Sequence, residues 1–125
     1  LALLTYVIKE LSKRGIGYLH LIESRATNAG EKDSLIKDAP ETAKIFRTCF
    51  QGVLLSAGGH SPKSAQEIIA SGYADAVAFG RLFIANPDLP ERVKLGADLN
   101  IYDRSTFYGG EAKGYTDYPT LHFIT

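Results

Sequence analysis

The sequence predicts an α/β fold with a parallel sheet, because helix and strand signals alternate along it. Three short apolar runs are typical of buried strands, at residues 16–22, 53–55 and 75–79. Segments with the apolar spacing of helices flank and separate these runs. Strands joined by helices return the chain to the same end of a sheet, so we expect the three strands to be parallel. None of the runs alternates cleanly between apolar and polar residues, which predicts a sheet covered on both faces.

Capping residues set the expected bounds of the helices. Gly15 is expected to end the first helix and Gly96 the last one, because glycine readily adopts the left-handed conformation found after a helix. Pro40 is expected in the first turn of the second helix, and Ser61 is a good N-cap for the third. We expect helices at about 4–14, 40–50, 62–70, 82–84 and 88–95. Residues 97–125 are expected to form an ordered but irregular tail.

Composition and charge exclude several classes of protein. Apolar residues make up 45% of the 125 residues and the formal net charge is zero. This composition excludes a disordered chain and disfavours a nucleic-acid-binding domain, which normally carries a basic face. No apolar run approaches the roughly 20 residues that span a bilayer. The single cysteine, Cys49, excludes an internal disulfide and favours a reducing, cytoplasmic location.

The sequence contains no methionine and starts at Leu1, which indicates a piece of a longer polypeptide. A directly translated chain begins with Met, and its removal normally requires a small second residue. Three strands would also leave two sheet edges unpaired, which is unfavourable in a free-standing domain. We therefore expect the last part of a doubly wound sheet or of a (β/α)8 barrel. A small natural domain after processing is the alternative.

Two glycine-containing loops directly follow strands and suggest an anion site. Gly58 and Gly59 precede the helix capped by Ser61, and Gly80 with Arg81 precedes a short helix. Glycine lets backbone N–H groups approach an anion closely, and an arginine can hold a phosphate with two parallel hydrogen bonds. In (β/α)8 barrels a phosphate site is often built from the last two strand loops and a short extra helix. The alternative is that these glycines only end the strands.

Other chemistry-bearing residues give weaker signals. No G-x-G-x-x-G pattern is present, and the three histidines have no metal-ligand spacing: His20, His60 and His122. We expect His20 to be packed in a core or barrel and Cys49 to be buried and inert. Arg47 and Arg104 are expected at the surface or in ion pairs, as is Arg25 in its simplest interpretation. A functional role for Glu23 and Arg25 stays open, because they follow a strand end, where barrel active sites lie.

Four segments resemble the old yellow enzyme family: residues 19–25, 79–89, 100–108 and 114–119. The resemblance runs over nearly the whole chain, and it points to a fungal- or plant-like member. It implies that residues 1–125 are the C-terminal part of a single FMN-binding (β/α)8 TIM barrel domain, about strands 6 to 8 with helices 5 to 8. It further implies FMN as cofactor and NADPH as reductant for the C=C bond of α,β-unsaturated carbonyl compounds.

The resemblance also assigns residues. Gly58 and Gly59 match backbone donors to the FMN phosphate, and Gly80 with Arg81 matches the second phosphate loop. We therefore expect these four residues to converge on one anion. Tyr108 matches an aromatic residue at the mouth of the substrate pocket.

The resemblance implies that no catalytic residue lies in this segment, because the proton donor and the substrate-oxygen ligands lie upstream. No metal site is expected either, because the histidines lack metal-ligand spacing. Gly30 stands where several relatives have a bulky aromatic residue, and His60 replaces a residue that is usually Phe.

The predicted function is therefore that of an ene-reductase of which this chain supplies the FMN-phosphate half-site. Residues 1–125 alone are expected to be inactive. Two alternatives stay open: a family member acting as an isomerase or cyclase in secondary metabolism, and a non-catalytic phosphate-binding half-barrel. The expected partner is a small-molecule enone or enal, without nucleic acid or membrane, and a homodimer stays open.

Overall fold

Helices and strands alternate along the chain, as the sequence predicts. The computed structural model describes residues 1–26, 35–109 and 111–121, so Gly30 and His122 lie outside the described residues. Its elements are α1 (Ala2–Lys13), β1 (Tyr18–Ile22), α2 (Thr42–Arg47), β2 (Val53–Ala57), α3 (Pro62–Ala70), β3 (Ala76–Ala78), α4 (Arg81–Ala85), α5 (Leu89–Leu95) and a 3₁₀ turn (Arg104–Thr106). The chain divides into two compact units, Leu1–Ala78 and Phe79–Thr125. Within the described ranges, no helix combines the length and the apolar character needed to cross a membrane.

The first unit contains a parallel sheet in the order β1-β2-β3, and the predicted parallel arrangement is confirmed. β1 pairs with β2 from Tyr18 opposite Val53 to Ile22 opposite Ala57. Ala57 in turn lies opposite Ala78 of β3. The carboxyl ends of all three strands therefore lie at one edge of the sheet, which places the loops that follow β1 and β2 next to each other.

The helices cover one face of the sheet. The core on that face joins all three helices of the unit to β2, through Ile8, Phe46, Ile68 and Leu54. On the other face Tyr18 and Ile22 of β1 are 61% and 70% exposed. The prediction of two covered faces is thus wrong for β1, because α1, α2 and α3 all pack on the side of Leu54. His20 is exposed as well, so it is not packed in a core here, and its packing inside a complete barrel stays a prediction.

Local caps explain why two of the helices begin or end where the sequence predicts. Gly15, just beyond the end of α1, has φ +64°, a conformation that side chains disfavour and glycine adopts freely. Ser61 caps α3 by accepting a hydrogen bond from the backbone N–H of Ser64, and the Ser64 hydroxyl accepts one from the N–H of Ser61. This reciprocal pair is a capping box, and the expected bounds of α3 are confirmed.

α2 is shorter than the sequence predicts. It begins at Thr42 rather than at Pro40 and ends at Arg47. Its first N–H groups donate to the side chain of Glu23, which lies 19 residues before Thr42, so the start of the helix depends on a contact that a local pattern does not contain. Cys49 consequently lies beyond the helix and is half-buried rather than buried.

Arg47 and Asp75 tie the end of α2 to the start of β2. The Arg47 guanidinium lies 2.8 Å from the Asp75 carboxylate and donates to the carbonyls of Phe50 and Gly52. Asp75 also accepts a hydrogen bond from the N–H of Leu54 at 2.8 Å. The bond from Leu54, followed by that from Arg47, lowers the pKa of Asp75. The expectation of an ion pair at Arg47 is therefore confirmed.

In the second unit, buried polar side chains hold the described part of the tail. Asn86 is buried and accepts a hydrogen bond from the N–H of Asn100 at 2.7 Å. The buried Arg92 guanidinium donates to the Asp88 carboxylate at 2.7 Å and to the carbonyl of Pro119 at 2.9 Å. Asp88 does precede α5, but its side chain bonds to Arg92 and to the N–H of Leu121 instead of capping the helix.

The open face of the sheet predicts how residues 1–125 behave when expressed by themselves. We expect this chain to self-associate and to bind the dye ANS, because exposed apolar side chains on a sheet face and at an unpaired strand edge favour association. Light scattering and ANS fluorescence measure these properties. A monodisperse monomer without ANS binding at about 50 µM would contradict the expectation.

Candidate functional site

Two loops meet at the carboxyl edge of the sheet in the first unit. Because Ile22 of β1 lies opposite Ala57 of β2, residues 23–26 and 58–60 follow the two strands side by side. The N–H of Glu23 donates to the carbonyl of Ala57 at 2.7 Å and continues the ladder beyond β1. The register therefore brings Glu23 and Arg25 next to the glycine pair.

Glu23 is the buried anchor of this edge. Its side chain is 1% exposed. One carboxylate oxygen accepts from the N–H of Thr42 at 2.7 Å, and the other accepts from the N–H of Ala43 at 3.1 Å and from the Ser56 hydroxyl at 2.8 Å. A buried carboxylate is tolerated only when hydrogen bonds replace its water. Glu23 thus joins the end of β1, the start of α2 and the middle of β2.

His60 extends this network from β2 to the loop. It is 8% exposed, and its Nε2 atom lies 2.8 Å from the Ser56 hydroxyl oxygen. The Ser56 hydroxyl has one proton and donates it to Glu23, so it accepts a hydrogen bond from Nε2–H. The Arg25 Nη2 atom, which can only donate, lies 3.0 Å from Nδ1 and 3.3 Å from Nε2, and the Ser64 hydroxyl oxygen lies 3.3 Å from Nδ1. Because Nε2–H donates to Ser56, the neutral ring has its proton on Nε2 and an acceptor at Nδ1.

Burial is the largest influence on the charge of His60. Burial, and after it the positive charge of Arg25, lowers the pKa of His60. The carboxylates of Glu23 and Glu41 act in the opposite direction and are the smaller influences. The neutral form that the hydrogen bonds require is therefore also the form that the surroundings favour at neutral pH.

Arg25 connects His60 to the glycine turn. Its Nε–H donates to the carbonyl of Gly58 at 3.2 Å, while its Nη2 donates to His60. Arg25 therefore has a structural role that its simplest interpretation, as a surface or ion-pair residue, does not include. Its partners are a backbone carbonyl and a neutral ring.

The fold itself requires both glycines of this turn. Gly58 and Gly59 have φ +98° and +68°, in the region that side chains rarely adopt. A Cβ at Gly58 would lie 2.8 Å from the Cβ of Ala26, and one at Gly59 would overlap the side chain of Leu35. Both glycines thus end the strand and permit close packing, whatever they bind.

At Gly80, in the second unit, neither a positive φ nor close packing among the described residues requires a glycine. Its φ is −93°, and an added Cβ would meet nothing within 4 Å among the described residues. The residue that follows, Arg81, begins α4, and its guanidinium lies 5.7 Å from the centre of the Tyr102 ring. The turn therefore combines an exposed backbone, open space beside it and a cation packed on an aromatic ring. This combination suits an anion that approaches the backbone closely.

Tyr108 extends into solvent from the same unit. Its side chain is 83% exposed and its φ is +59°, a left-handed conformation that is rare for a tyrosine. Its ring packs edge-on against Phe107 with the ring centres 6.4 Å apart. Residues held in this region of φ cluster at ligand sites, so the backbone geometry agrees with a role in ligand contact.

Sequence reasoning missed Ser56 and the role of His60. Two signals pointed to them: Ser56 is the one polar residue in β2, and His60 directly follows the glycine pair. Of the four residues expected to converge on one anion, Gly58 and Gly59 lie in one unit and Gly80 and Arg81 in the other, so their convergence stays a prediction. Within the described part of the chain, no three His, Cys, Asp or Glu side chains form a group that could hold a metal ion.

Comparison with known proteins shows which protein family this sequence matches. The sequence model of the NADH:flavin oxidoreductase / NADH oxidase family matches residues 2–100 and does not extend over the remaining residues. The chain is 46% identical over 121 residues to 12-oxophytodienoate reductase 2 of Arabidopsis thaliana, covering 96% of this chain and 31% of that protein. It is 45% identical over 126 residues to 12-oxophytodienoate reductase 1 of Oryza sativa subsp. japonica, covering 98% of this chain and 32% of that protein.

Solved structures agree with these sequence matches. The structure resembles morphinone reductase with a TM-score of 0.79 and 46% identity, covering 96% of this chain and 31% of that one. It resembles the old yellow enzyme from Trypanosoma cruzi with a TM-score of 0.83 and 33% identity, covering 96% and 30%. The chain thus spans about a third of the length of these relatives.

The buried carboxylate yields a stability prediction for the protein that contains this chain. We expect Glu23→Gln to lower the free energy of unfolding by about 2–3 kcal/mol, because a neutral amide weakens hydrogen bonds that a carboxylate accepts and turns an NH₂ group toward donors. Urea unfolding measures the change. The matched control is Glu10→Gln at an exposed pair with Lys13, where a much smaller change is expected because solvent screens exposed ion pairs. Equal effects of the two substitutions would contradict the role of Glu23.

Proposed function

Because this chain belongs to the NADH:flavin oxidoreductase / NADH oxidase family, we propose that it is part of an FMN-dependent ene-reductase. That membership confirms the resemblance to old yellow enzymes. The proposed reaction is reduction of the C=C bond of an α,β-unsaturated carbonyl compound, a small-molecule enone or enal. It is supported by relatives named 12-oxophytodienoate reductase and morphinone reductase. NADPH as the reductant rests on the resemblance alone, since the family description names NADH and one similar structure is a morphinone reductase complex with tetrahydroNAD.

We propose that this chain holds the phosphate of FMN, and the turn at Gly80 and Arg81 carries the proposal. The glycine there is explained neither by its φ nor by packing among the described residues. A ligand that approaches the backbone closely would explain it. Arg81 can add two parallel charge-assisted hydrogen bonds to phosphate oxygens, and its packing against Tyr102 restricts the side chain before binding.

Gly58 and Gly59 are proposed as further phosphate ligands on the geometry of their own unit. Their turn leads directly into α3, a helix of nine residues whose N-terminal dipole favours negative charge. The Arg25 side chain, bonded to the carbonyl of Gly58, fixes the turn on its other side. Because the fold already requires both glycines, substitutions there would disturb the turn as well as binding.

FMN, when bound, supplies the two-electron redox chemistry by which a nicotinamide can reduce a C=C bond. In this proposal the residues of this chain bind and orient, and none of them transfers the proton. Arg81 and the two glycine turns hold the phosphate end, and Tyr108 lines the pocket mouth. From the resemblance, the proposal includes that residues 1–125 are the C-terminal part of a (β/α)8 barrel and that the proton donor and the substrate-oxygen ligands lie outside them. On that proposal, these residues alone would be inactive. A cytoplasmic protein without nucleic-acid or membrane partners is part of the same proposal, and a homodimer stays open.

The phosphate turn is tested in the full-length protein by Arg81→Ala. We expect FMN binding to weaken by about 1.5–3 kcal/mol, the cost of losing hydrogen bonds to a charged group. Isothermal titration calorimetry with FMN measures the loss of binding free energy. Unchanged FMN affinity would rule out the assignment of Arg81.

Gly80→Ala tests the same turn without removing a charge. The added methyl group occupies the open space through which the phosphate would approach, so FMN affinity should fall while the free energy of unfolding stays within about 0.5 kcal/mol. Gly17→Ala is the matched control, because an added Cβ there also meets nothing within 4 Å. An equal effect of both substitutions on FMN affinity would show that Gly80 has no special role.

Tyr108 is tested by Tyr108→Phe in the full-length enzyme. We expect an altered KM or substrate preference with less than about a tenfold loss in kcat, because the hydroxyl contacts substrate without transferring the proton. Steady-state kinetics with two enones of different size measure the change. A loss of about a thousandfold or more in kcat would overturn the pocket-lining role.

A further inference from the structure

A chain of four side chains runs from the core of the first unit to the glycine turn: Glu23, Ser56, His60 and Arg25. We infer that His60 is a positioning residue for the turn at Gly58 and Gly59, which acts through Arg25 and only in its neutral form. The consequence for cofactor binding rests on the proposed function, whereas the state of His60 itself does not.

The direction of the hydrogen bonds carries this inference. Glu23 is held by two backbone N–H groups and can only accept, so the Ser56 hydroxyl points to it. His60 then donates from Nε2, and its neutral ring accepts at Nδ1, where the Arg25 Nη2 atom lies at 3.0 Å and the Ser64 hydroxyl oxygen at 3.3 Å. The donor and acceptor roles in each hydrogen bond determine those in the next one. The buried Glu23 carboxylate therefore determines that Nδ1 of the neutral His60 ring is the acceptor beside Arg25.

Arg25 transmits that arrangement to the backbone. Its guanidinium binds His60 through Nη2 and the carbonyl of Gly58 through Nε. The guanidinium is planar and rigid, so fixing Nη2 also fixes the direction of Nε–H. Because Gly58 and Gly59 tolerate many backbone conformations, an external bond to the carbonyl of Gly58 restricts where their N–H groups point.

Protonation of His60 would break this connection. A proton on Nδ1 would face the Arg25 guanidinium, and neither group could accept from the other. Among the described residues, Arg25 and the hydroxyls of Ser56 and Ser64 contact the ring. The charges of Arg25, Glu23 and Glu41 act on it electrostatically. Burial and Arg25 outweigh the two carboxylates and lower the pKa of His60. The connection therefore persists at neutral pH and breaks only as the pH falls through that lowered pKa.

The test compares FMN with riboflavin, which has no phosphate, in the full-length protein. Dissociation constants are measured by flavin fluorescence in a pH series downward from about pH 7.5 for the wild type, His60→Phe and His60→Gln. Nitrogen-15 NMR of the flavin-free wild type gives the pH range in which His60 becomes protonated. Phenylalanine keeps an aromatic ring without hydrogen bonds. Glutamine can accept from Arg25 and donate to Ser56, and it does not titrate.

We expect His60→Phe to weaken FMN binding about tenfold at pH 7.5 while riboflavin binding changes less than about twofold. The wild type should lose FMN affinity, beyond any loss in His60→Gln, over the pH range in which His60 becomes protonated. His60→Gln corrects for protonation of the phosphate itself. His60→Gln should retain most of the FMN affinity at pH 7.5. Equal losses of FMN and riboflavin in His60→Phe, unchanged FMN binding in it, or the same pH dependence in the wild type and His60→Gln would each overturn the inference.

A second measurement separates this inference from the proposed function. Nitrogen-15 NMR of the flavin-free protein reports the tautomer of His60, and we expect the neutral form with its proton on Nε2. A charged ring or a proton on Nδ1 at pH 7.5 would overturn the inference even if FMN binds. A wild type that binds riboflavin as tightly as FMN would instead contradict the proposed phosphate site, and the NMR result would still decide the state of His60.

Discussion

The buried carboxylate of Glu23 is the constraint on which the first unit depends. A charge in that position is stable only with its hydrogen bonds complete, and its donors come from the start of α2 and from Ser56 in β2. The hydrogen bonds that Glu23 accepts therefore place the first residues of α2 beside it and turn the Ser56 side of β2 toward the buried carboxylate. It also sets the hydrogen-bond direction that reaches His60 and Arg25. At the carboxyl edge of the sheet, the side-chain hydrogen bonds from Ser56 to Arg25 thus depend on the Glu23 carboxylate.

Local sequence signals predicted the elements that have local causes. The alternation of helices and strands, the parallel sheet, the end of α1 before Gly15 and the start of α3 after Ser61 all follow from short patterns. The start of α2 did not, because its first donors pair with a carboxylate 19 residues earlier. The one-sided sheet was also missed, because apolar residues on both faces of a strand look the same whether or not a second layer covers them.

The two glycine loops show how far the site could be predicted. Both look alike in the sequence, as glycine after a strand and before a helix. In the structure Gly58 and Gly59 are required by positive φ and close packing, whereas Gly80 is required by neither among the described residues. The reasons for glycine in the two loops can be distinguished only in the three-dimensional structure. The family resemblance suggested FMN phosphate as the ligand. The open space beside Gly80 supports the proposal that the phosphate binds next to Gly80 and Arg81.

The central proposal is that this chain anchors the phosphate of FMN. A crystal structure of the full-length protein with FMN bound tests it most directly. Phosphate oxygens should lie about 2.7–3.1 Å from the Arg81 guanidinium and from the backbone N–H groups of the turn at Gly80. A phosphate group bound elsewhere, with Arg81 making no contact to it, would contradict the proposal.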